Sequence, residues 1–421
     1  MRTAPTHDPV RAQVLAARSS VYAVFAVNGL LLASLLARIP AVSDDLGLSP
    51  QQLGITLLAA STGSVLALPS AGWFVQRFGV RPVIVAAAVL GATGVAAAGL
   101  APDRMVLAVA LFAWGFANGA WDVAMNVEAA DVERRLGYTI MPRFHGAWSV
   151  GTVIGAAGAA LVSFLAVGRG PHLVVVAVVV LVGALLSVRS FLPAELGSRG
   201  AADDHAAASA PTDGSAPVRR YSLRDAWLEP RTLLIGVTML GFALAEGIAG
   251  DWLALAVVDS RGVDEWVGSS TYGVFLASVM AGRFLGPVLL DRYGRYRPLL
   301  VMAGMVTVGV VSVVLLPGVV GALLGAVLWG LGVSLGFPVG MTAAADDPVK
   351  AAVRVSVVAS VAYTAFLAGP PLVGLLGERF GTDLSLLVAC GAALLSMCTA
   401  AAMRPVPAGT DDDERSPSLA R

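Results

Sequence analysis

The residues best suited to chemistry in this chain are acids that interrupt long apolar stretches. Asp122 follows an apolar run that begins near Phe112, and Asn118 and Asn126 lie one helical turn away on either side. A carboxylic acid in the middle of a membrane-length helix costs roughly 2.5 kcal/mol or more on insertion scales, so it usually faces a cavity or a partner. Burial favours the neutral form, which lets such an acid exchange a proton near neutral pH. We therefore predict that Asp122 is a proton-coupling residue.

A second acid, Glu246, falls at the centre of another apolar stretch. Asp251 follows five residues later and is rotated from it by about 140° on a helical wheel. The two carboxyl groups therefore cannot point the same way. We predict that Glu246 is a second proton-coupling residue and that Asp251 belongs to a gate.

Asparagine and aromatic side chains within these stretches suit a solute that has both hydroxyl groups and an apolar face. The amides can bind hydroxyls or bond across helices, and the rings can stack on a solute or pack between helices, so both readings stay open. The predicted substrate-binding residues are Asn28, Asn118, Trp121, Asn126, Trp148, Trp252, Tyr272 and Tyr363.

The sequence offers no pattern typical of an enzyme. The only cysteines, Cys390 and Cys398, lie in one apolar segment and are predicted to be packed free thiols rather than a disulfide or metal site. His7, His172 and His205 are predicted to lie in tails or loops, and no pairing of them with an acid suggests nucleophilic or metal chemistry. We expect no catalytic residue, no metal, no cofactor and no nucleic-acid partner.

Composition places these residues in a membrane protein. The 421 residues are 57% hydrophobic and only 13% charged, whereas soluble proteins carry about 25% charged residues. Mean hydropathy is +0.78, and apolar runs recur from end to end. The polar stretch 1–19 has no apolar core of a cleavable signal peptide.

Twelve spans of about 20 residues are predicted. Their centres lie near Asn28, Gly63, Leu90, Asn118, Ile154, Leu181, Ala245, Val279, Val308, Gly332, Tyr363 and Ala393. The stretch between the sixth and seventh spans lacks apolar periodicity and is predicted to be a linker. We predict an all-α polytopic membrane protein with 12 transmembrane helices in two six-helix bundles. The predicted segments are an N-terminal tail 1–19, a first bundle 20–192, a linker 193–230, a second bundle 231–404 and a C-terminal tail 405–421.

The placement of arginine predicts the orientation. Of 28 Lys and Arg residues, five fall in the loops of one side: Arg38, Arg104, Arg169, Arg261 and Arg379. Arg283 lies inside a span, and the others fall on the opposite side. By the positive-inside rule, both termini and the linker are expected in the cytoplasm, with the chain in the cytoplasmic membrane of a prokaryote-like cell.

The two halves repeat a short loop motif. Arg77-Phe78-Gly79 follows the second span and Arg292-Tyr293-Gly294 follows the eighth, and an Arg-Pro pair comes soon after each copy. A chain made of two matched six-span halves indicates a duplicated transporter whose site lies between the halves, near the membrane midplane.

This motif resembles the loop signature of the major facilitator superfamily, Gly-x-x-x-Asp-Arg-x-Gly-x-Arg. The first copy has Gln76 in the acid position and keeps Arg77, Gly79 and Arg81. The second copy has Asp291, Arg292, Gly294 and Arg295. The resemblance implies a carrier that works by alternating access, with these eight residues gating its cytoplasmic side.

The resemblance also implies that the two gates differ. Asp291 would hold the start of the fifth span near Arg143, because a carboxylate is attracted to a helix N-terminus. Gln76 would face the eleventh span near Lys350 and could only hydrogen-bond. The alternative is that the arginines of the motif determine topology alone.

Within the superfamily, Asp122-Val123-Ala124-Met125-Asn126 is similar to the Glu-Thr-Ala-Ala-Asn run of fucose-permease-like proton symporters. Asn118-Gly119, Phe144-His145-Gly146, Glu246-Gly247 and Asp251-Trp252 are similar to the rhizopine-transport, MosC-like branch. The resemblance implies that Asp122 takes the place of the acidic coupling residue. Where the sugar symporters have an acid in the first span, this chain has Asn28.

Glu128 and His145 both approach the cytoplasmic ends of adjoining helices. A contact between them would form a pH-sensitive gate, although a lone interfacial histidine can also be structural. Taken together, these features predict a proton-coupled carrier of a small polar solute such as a sugar or cyclitol. The alternative is efflux of drugs or metabolites by proton antiport. Its expected partners are the solute, protons and the lipid bilayer, and one chain is expected to suffice.

Overall fold

The computed structural model describes residues 9–138, 140–193, 222–347 and 350–404, and every regular element in these ranges is helical. In the first half, the long helices are α1 (Pro9–Leu36), α2 (Pro50–Phe78), α3 (Val80–Leu100), α4 (Arg104–Leu136), α5 (Met141–Phe164) and α6 (Arg169–Ser187). A short helix, Ile39–Asp45, follows α1, and a 3₁₀ turn, Val188–Ser190, follows α6.

The second half has the same order. Its long helices are α7 (Pro230–Arg261), α8 (Glu265–Tyr293), α9 (Tyr296–Leu315), α10 (Gly318–Val333, continued as Gly336–Ala344), α11 (Ala351–Phe380) and α12 (Val388–Thr399). Short helical segments are Leu223–Trp227, Thr382–Ser385 and the 3₁₀ turn Ala400–Met403.

The helices account for the predicted spans. Among the described residues, 11 helices are long and apolar enough to cross a membrane. The segments Pro50–Ala67 and Ser70–Phe78 of α2 meet at 51° and make a twelfth span when they are counted together. Every predicted span centre lies within one of these helices. The all-α architecture predicted from the sequence is therefore confirmed.

Two predicted segments run into helices. Helix α1 begins at Pro9, so residues 9–19 of the predicted tail are helical and continuous with the first span. Helix α7 begins at Pro230, where proline at the first helical position needs no hydrogen-bond partner for its nitrogen. The rest of the predicted linker includes Leu223–Trp227 and otherwise lies largely outside the described residues.

Helix packing repeats between the halves. In the first half α2 packs on α4, α1 on α5, and α3 on both α4 and α6. In the second half the same pairs recur six helices later: α8 on α10, α7 on α11, and α9 on both α10 and α12. Between the halves, α5 packs on α8 and α2 packs on α11. This pattern is typical of two related bundles that meet along a pseudo-two-fold axis.

Close contacts between helices depend on residues without side chains. The position of a Cβ on Gly151 of α5 would overlap the backbone of Ala26 in α1, and a Cβ on Gly115 of α4 would overlap Ala60 in α2. Without a hydrophobic driving force between helices in lipid, such small residues let the backbones approach and gain van der Waals contact.

We name the two ends of the helix bundle by the chain segments that lie there. The tail end is the end at which α1 and α7 begin and at which residue 404 lies. The far end is the opposite end of the bundle. At the far end, the Ser269 hydroxyl donates to the Ala37 carbonyl (2.7 Å), and Arg38 lies 3.6 Å from the Glu265 carboxylate. Ser163 also bonds to Glu265 (3.2 Å). These contacts join the two halves, so the far end is closed in this conformation.

Candidate functional site

In the first half, polar side chains lie one helical turn apart along α4. The Asn126 amide donates to the Asp122 backbone carbonyl (2.8 Å) and to the Asp122 carboxylate (3.2 Å), as expected for residues one turn apart. Both side chains are half-buried. Asp122 makes no ion pair with another described residue. Its charge is therefore not balanced by a basic side chain.

A hydrogen-bonded chain links three of the predicted substrate-binding residues from different helices. The Trp148 indole N–H in α5 donates to Asn28 Oδ1 in α1 (3.0 Å), and Asn28 Nδ2 donates to Asn118 Oδ1 in α4 (3.2 Å). Asn28 is only 3% exposed, so its amide is held between the helices. Asn118 and Trp148 are half-buried, and Asn118 keeps two unused N–H donors for a further partner.

The second half faces Asp122 with an aromatic cluster. Tyr363 of α11 is half-buried and lies close enough to Asp122 for the carboxylate to act on its hydroxyl. Its ring is 6.2 Å from that of Phe337 and 6.0 Å from that of Phe366. Phe337 lies just after the break in α10, where Pro338 occupies the first turn of the new helix. The predicted residue Tyr363 thus lies opposite the predicted residue Asp122.

Glu246 is paired, which the sequence did not indicate. Arg283 Nη2 of α8 donates to Glu246 Oε1 of α7 at 3.0 Å. The guanidinium carbon of Arg283 lies 5.8 Å from the ring centre of Trp148 in the first half. Arg283 was absent from the predicted site. The available signal was its position inside a span, where an unpaired arginine is costly.

We call the following residues the central cluster: Asn28, Asn118, Asp122, Asn126, Trp148, Glu246, Arg283 and Tyr363. His145 borders it, because its exposed side chain lies edge-on to Phe25 (5.2 Å) and near enough to Arg283 for the two charges to interact. The cluster draws on α1, α4 and α5 of one half and on α7, α8 and α11 of the other.

Asp251 and Tyr272 lie on the far-end side of Glu246. Asp251 is half-buried and makes no hydrogen bond or ion pair with another described residue. Tyr272 is 2% exposed and lies close enough to both Asp251 and Glu246 for their charges to act on its hydroxyl. Although the two acids are rotated apart on α7, Tyr272 lies near both of them.

Two of the predicted substrate-binding residues are enclosed within their bundles in this conformation. Trp121 is 1% exposed and Trp252 is 0% exposed, and neither indole nitrogen reaches solvent or a hydrogen-bond partner among the described residues. These rings pack between helices within each bundle, which was the alternative left open by their sequence. Bulky aromatic side chains fill the space between helices as readily as they line a binding site.

The predicted gating contact between Glu128 and His145 is not formed in this conformation. The Glu128 carboxylate accepts a hydrogen bond from the Leu192 backbone N–H (2.7 Å) and is 3% exposed. His145 faces Phe25 and Arg283 instead. Glu128 therefore fastens the chain that follows α6, and its orientation separates it from His145.

The repeated motif forms equivalent turns. Gly79 between α2 and α3 has φ 90°, and Gly294 between α8 and α9 has φ 71°. Only glycine adopts such values without strain, so both positions fix tight connections. Arg81 donates to the Phe191 carbonyl, and Arg295 forms a 2.6 Å ion pair with Asp346. Each arginine thus contacts its own half.

The remaining motif residues are exposed at the tail end. Gln76 and Arg77 lie at the end of α2, and Arg292 lies over the ring of Tyr293 at 5.4 Å. Asp291 makes no hydrogen bond or ion pair with another described residue, so the predicted contact with the start of α5 is not formed in this conformation.

The central cluster combines one carboxyl group without a cation, one ion pair, several amides and aromatic faces. Amides and carboxylates bind hydroxyl groups, and aromatic faces accept the apolar side of a ring. No group of three or more His, Cys, Asp and Glu suited to a metal ion occurs within the described ranges.

Comparison with known proteins agrees with this architecture. The sequence profile of the Major Facilitator Superfamily matches residues 21–364. An uncharacterized MFS-type transporter of Yersinia pestis is 30% identical over 385 residues, which cover 91% of this chain and 94% of that protein. Membrane protein MosC of Rhizobium meliloti is 28% identical over 375 residues, which cover 89% of this chain and 87% of MosC.

Solved structures show the same fold at low identity. The nucleoside transporter NupG matches with a TM-score of 0.71 at 14% identity, over 92% of this chain and 98% of NupG. A bacterial homologue of the human lysosomal transporter Spinster matches with a TM-score of 0.70 at 15% identity, over 95% of this chain and all of that chain (100%). With its two related six-helix bundles and a profile match over most of its length, this chain belongs to the Major Facilitator Superfamily of membrane transporters.

Proposed function

We propose that this protein is a proton-coupled carrier that moves a small polar solute, such as a sugar or cyclitol, across the cytoplasmic membrane by alternating access. The observation that carries the proposal is the placement of Asp122. Among the described residues, its carboxyl group bonds only to Asn126 on its own helix, and it faces Tyr363 of the other half. Gain or loss of a proton there changes the charge between the halves, and with it the relative stability of their arrangements.

The solute class follows from the groups around Asp122. Asn118 has unused amide donors, Trp148 and Tyr363 have partly exposed rings, and these groups come from both halves. A solute held by both halves shifts the equilibrium between conformations by its difference in affinity for them. A polyhydroxylated ring offers the hydroxyl groups and the apolar face that this set can bind.

Gating is proposed to alternate between the two ends. Arg38, Glu265 and Ser269 hold the far end closed in this conformation, and the repeated motif is proposed to close the tail end in the other. We further propose that the tail end faces the cytoplasm, as the distribution of arginine predicts. One chain contains both halves of the cluster and is proposed to work as a monomer.

The test is transport by the full chain in proteoliposomes with an imposed pH gradient. The panel contains sugars, cyclitols, sugar acids, amino acids, and nucleosides, since one structural neighbour is a nucleoside transporter. Wild-type protein should accumulate at least one solute in response to the gradient. Asp122→Asn should lower gradient-driven accumulation about 100-fold, the effect of shifting a two-state equilibrium by about 2.7 kcal/mol.

Solute exchange without a gradient provides the matched control. Exchange needs no net proton movement, so Asp122→Asn should retain it, whereas a misfolded protein would lose both activities. Accumulation by Asp122→Asn at the wild-type level would refute the coupling role of Asp122.

The second candidate is efflux by proton antiport, which the half-buried aromatic rings around Tyr363 also accommodate. A strain that lacks the gene distinguishes the two. Broad hypersensitivity to lipophilic compounds supports efflux, while loss of growth on one polar solute supports uptake.

A further inference from the structure

Arg283 is a cation inside a membrane span that the proposed function does not use. Its side chain is 25% exposed and its single hydrogen bond, from Nη2, goes to Glu246 Oε1 at 3.0 Å. The Nε atom is buried and has no hydrogen-bond partner in the described ranges. Of the five N–H donors of the guanidinium, four are therefore left without a protein acceptor among the described residues.

The contact with Glu246 is weaker than the geometry of the two groups allows. Arginine and carboxylate can form two parallel hydrogen bonds, which is why arginine is favoured where a carboxylate must be recognised. Here only one such bond forms, between two side chains that are each about a quarter exposed (25% and 28%). A second carboxylate that approached the unused edge of the guanidinium could compete with Glu246.

From this geometry we infer that Arg283 binds a carboxylate group of the transported solute, which takes the place of Glu246. This inference rests on the proposed function and names its substrate class: a small polyhydroxylated carboxylic acid, such as a sugar acid. The solute carboxylate accepts two hydrogen bonds from Arg283, and Glu246 loses its contact with the guanidinium.

Charge balance requires a proton in this exchange. Two carboxylates beside one guanidinium would leave an unbalanced negative charge within the span, so the displaced Glu246 takes up a proton. The charged and titratable groups around Glu246 are Arg283 and Tyr272 on α8 and Asp251 on α7, and His145 of α5 lies beyond Arg283. One proton enters with each solute anion.

The surroundings of Arg283 connect this contact to the rest of the cluster. Its guanidinium carbon lies 5.8 Å from the ring centre of Trp148, whose indole N–H donates to Asn28, which in turn donates to Asn118. Trp148 therefore lies between the cation and the amides. A solute with a carboxylate at one end and hydroxyl groups at the other can contact Arg283 and Asn118 across the face of Trp148.

The experiment uses two matched pairs of solutes: D-glucuronate with D-glucose, and D-gluconate with D-sorbitol. Members of a pair differ by one carboxylate in place of a hydroxymethyl group. Binding to the full-length purified protein is followed by thermal shift and by tryptophan fluorescence, with Trp148→Phe identifying the signal of Trp148. Uptake of the same four solutes is measured in proteoliposomes.

Wild-type protein should bind the carboxylate member of a pair at least about tenfold more tightly than the neutral member. Arg283→Gln should abolish that preference, while Arg283→Lys should retain part of it. Glu246→Gln, which removes the competing carboxylate, should bind the anion more tightly than wild type. Arg379→Gln, which alters an exposed arginine at the far end, should change nothing.

Two results overturn the inference and leave the proposed function in place, and a third overturns both. If the neutral member is bound and transported in preference to its carboxylate, the proposed function stands and Arg283 does not bind the solute. The same conclusion follows if Arg283→Gln keeps the preference for the carboxylate. If neither these solutes nor the rest of the panel is transported, the proposed function itself fails, and this inference fails with it.

Discussion

The two acids at the centre of the molecule have opposite environments. Within the part of the chain that the structure describes, the Asp122 side chain in the first half bonds only to Asn126, a neutral neighbour on the same helix. Glu246 in the second half is held by Arg283, a cation from the next helix. Both were predicted as proton-coupling residues, because each is an acid near the middle of a span. In the structure the two acids differ in their side-chain partners.

This difference has a simple physical consequence. A carboxyl group without a cation is more easily kept in the membrane in its neutral form, so its charge can change during a transport cycle. A carboxyl group beside a guanidinium is held as an anion until something displaces its partner. In the proposed transport cycle, Asp122 therefore exchanges a proton directly, whereas Glu246 takes part only when the solute displaces it from Arg283.

The largest expected effect is on stability when Arg283 is removed. Arg283→Ala leaves Glu246 without its cation, and breaking a fully buried pair in this way costs about 3–5 kcal/mol. Because both side chains are about a quarter exposed (25% and 28%), we expect a loss of about 2 kcal/mol. Thermal unfolding of the purified protein measures it.

A double variant tests whether the lost stability comes from the charge left on Glu246. Arg283→Ala combined with Glu246→Gln removes the stranded charge and should recover more than half of the lost stability. Arg379→Ala, at an exposed position, should change stability by less than about 0.5 kcal/mol. If the double variant is as unstable as the two single losses added together, Glu246 and Arg283 are not coupled.

A second prediction concerns Asp122→Asn, which should not lower the free energy of unfolding. Asp122→Asn removes a carboxyl group that has no cation and keeps its size and its ability to accept from Asn126. We expect unfolding stability to stay level or to rise by about 1 kcal/mol, since no partner is left unpaired. A loss as large as that of Arg283→Ala would show that Asp122 is held as an anion, and the contrast between the two acids would be wrong.

Much of the fold was predictable because span length and the repeated motif are local properties of the sequence. Apolar runs of membrane length located all twelve spans, and Gly79 and Gly294 marked equivalent turns, where both adopt positive φ values. Helix α1 begins at Pro9, inside the predicted tail, because hydropathy marks the part of a helix that crosses the membrane and not where the helix itself begins.

The site was predictable only in part. Asn28, Asn118 and Trp148 were each identified as polar or aromatic residues within spans, and the structure brings them into one hydrogen-bonded chain. The pairing of Glu246 with Arg283 was missed, because it depends on how α7 and α8 are rotated against each other. That rotation follows from packing along the whole helices, which spacing in the sequence does not encode.

The same limitation explains the two tryptophans. Trp121 and Trp148 are both aromatic residues within spans of the first half, yet one is enclosed and the other is half-buried beside Arg283. A helical wheel places a residue relative to its own helix, whereas exposure depends on which neighbour covers that face.

The smallest expected effect tests whether Trp148 is coupled to Arg283 and not to Asp122. Its N–H bonds to Asn28 of the first half, and its ring lies beneath Arg283 of the second half. Trp148→Phe keeps an aromatic ring but loses the N–H, which should lower the free energy of unfolding by about 1 kcal/mol.

In a double-mutant cycle, Trp148→Phe and Arg283→Ala should show a coupling energy of about 0.5–1 kcal/mol, because phenylalanine presents a weaker face to a cation. The parallel cycle of Trp148→Phe with Asp122→Asn should give a coupling near zero, since no contact joins those two side chains. Equal couplings in the two cycles would mean that Asp122 and Arg283 belong to one network, and that the two acids do not act independently.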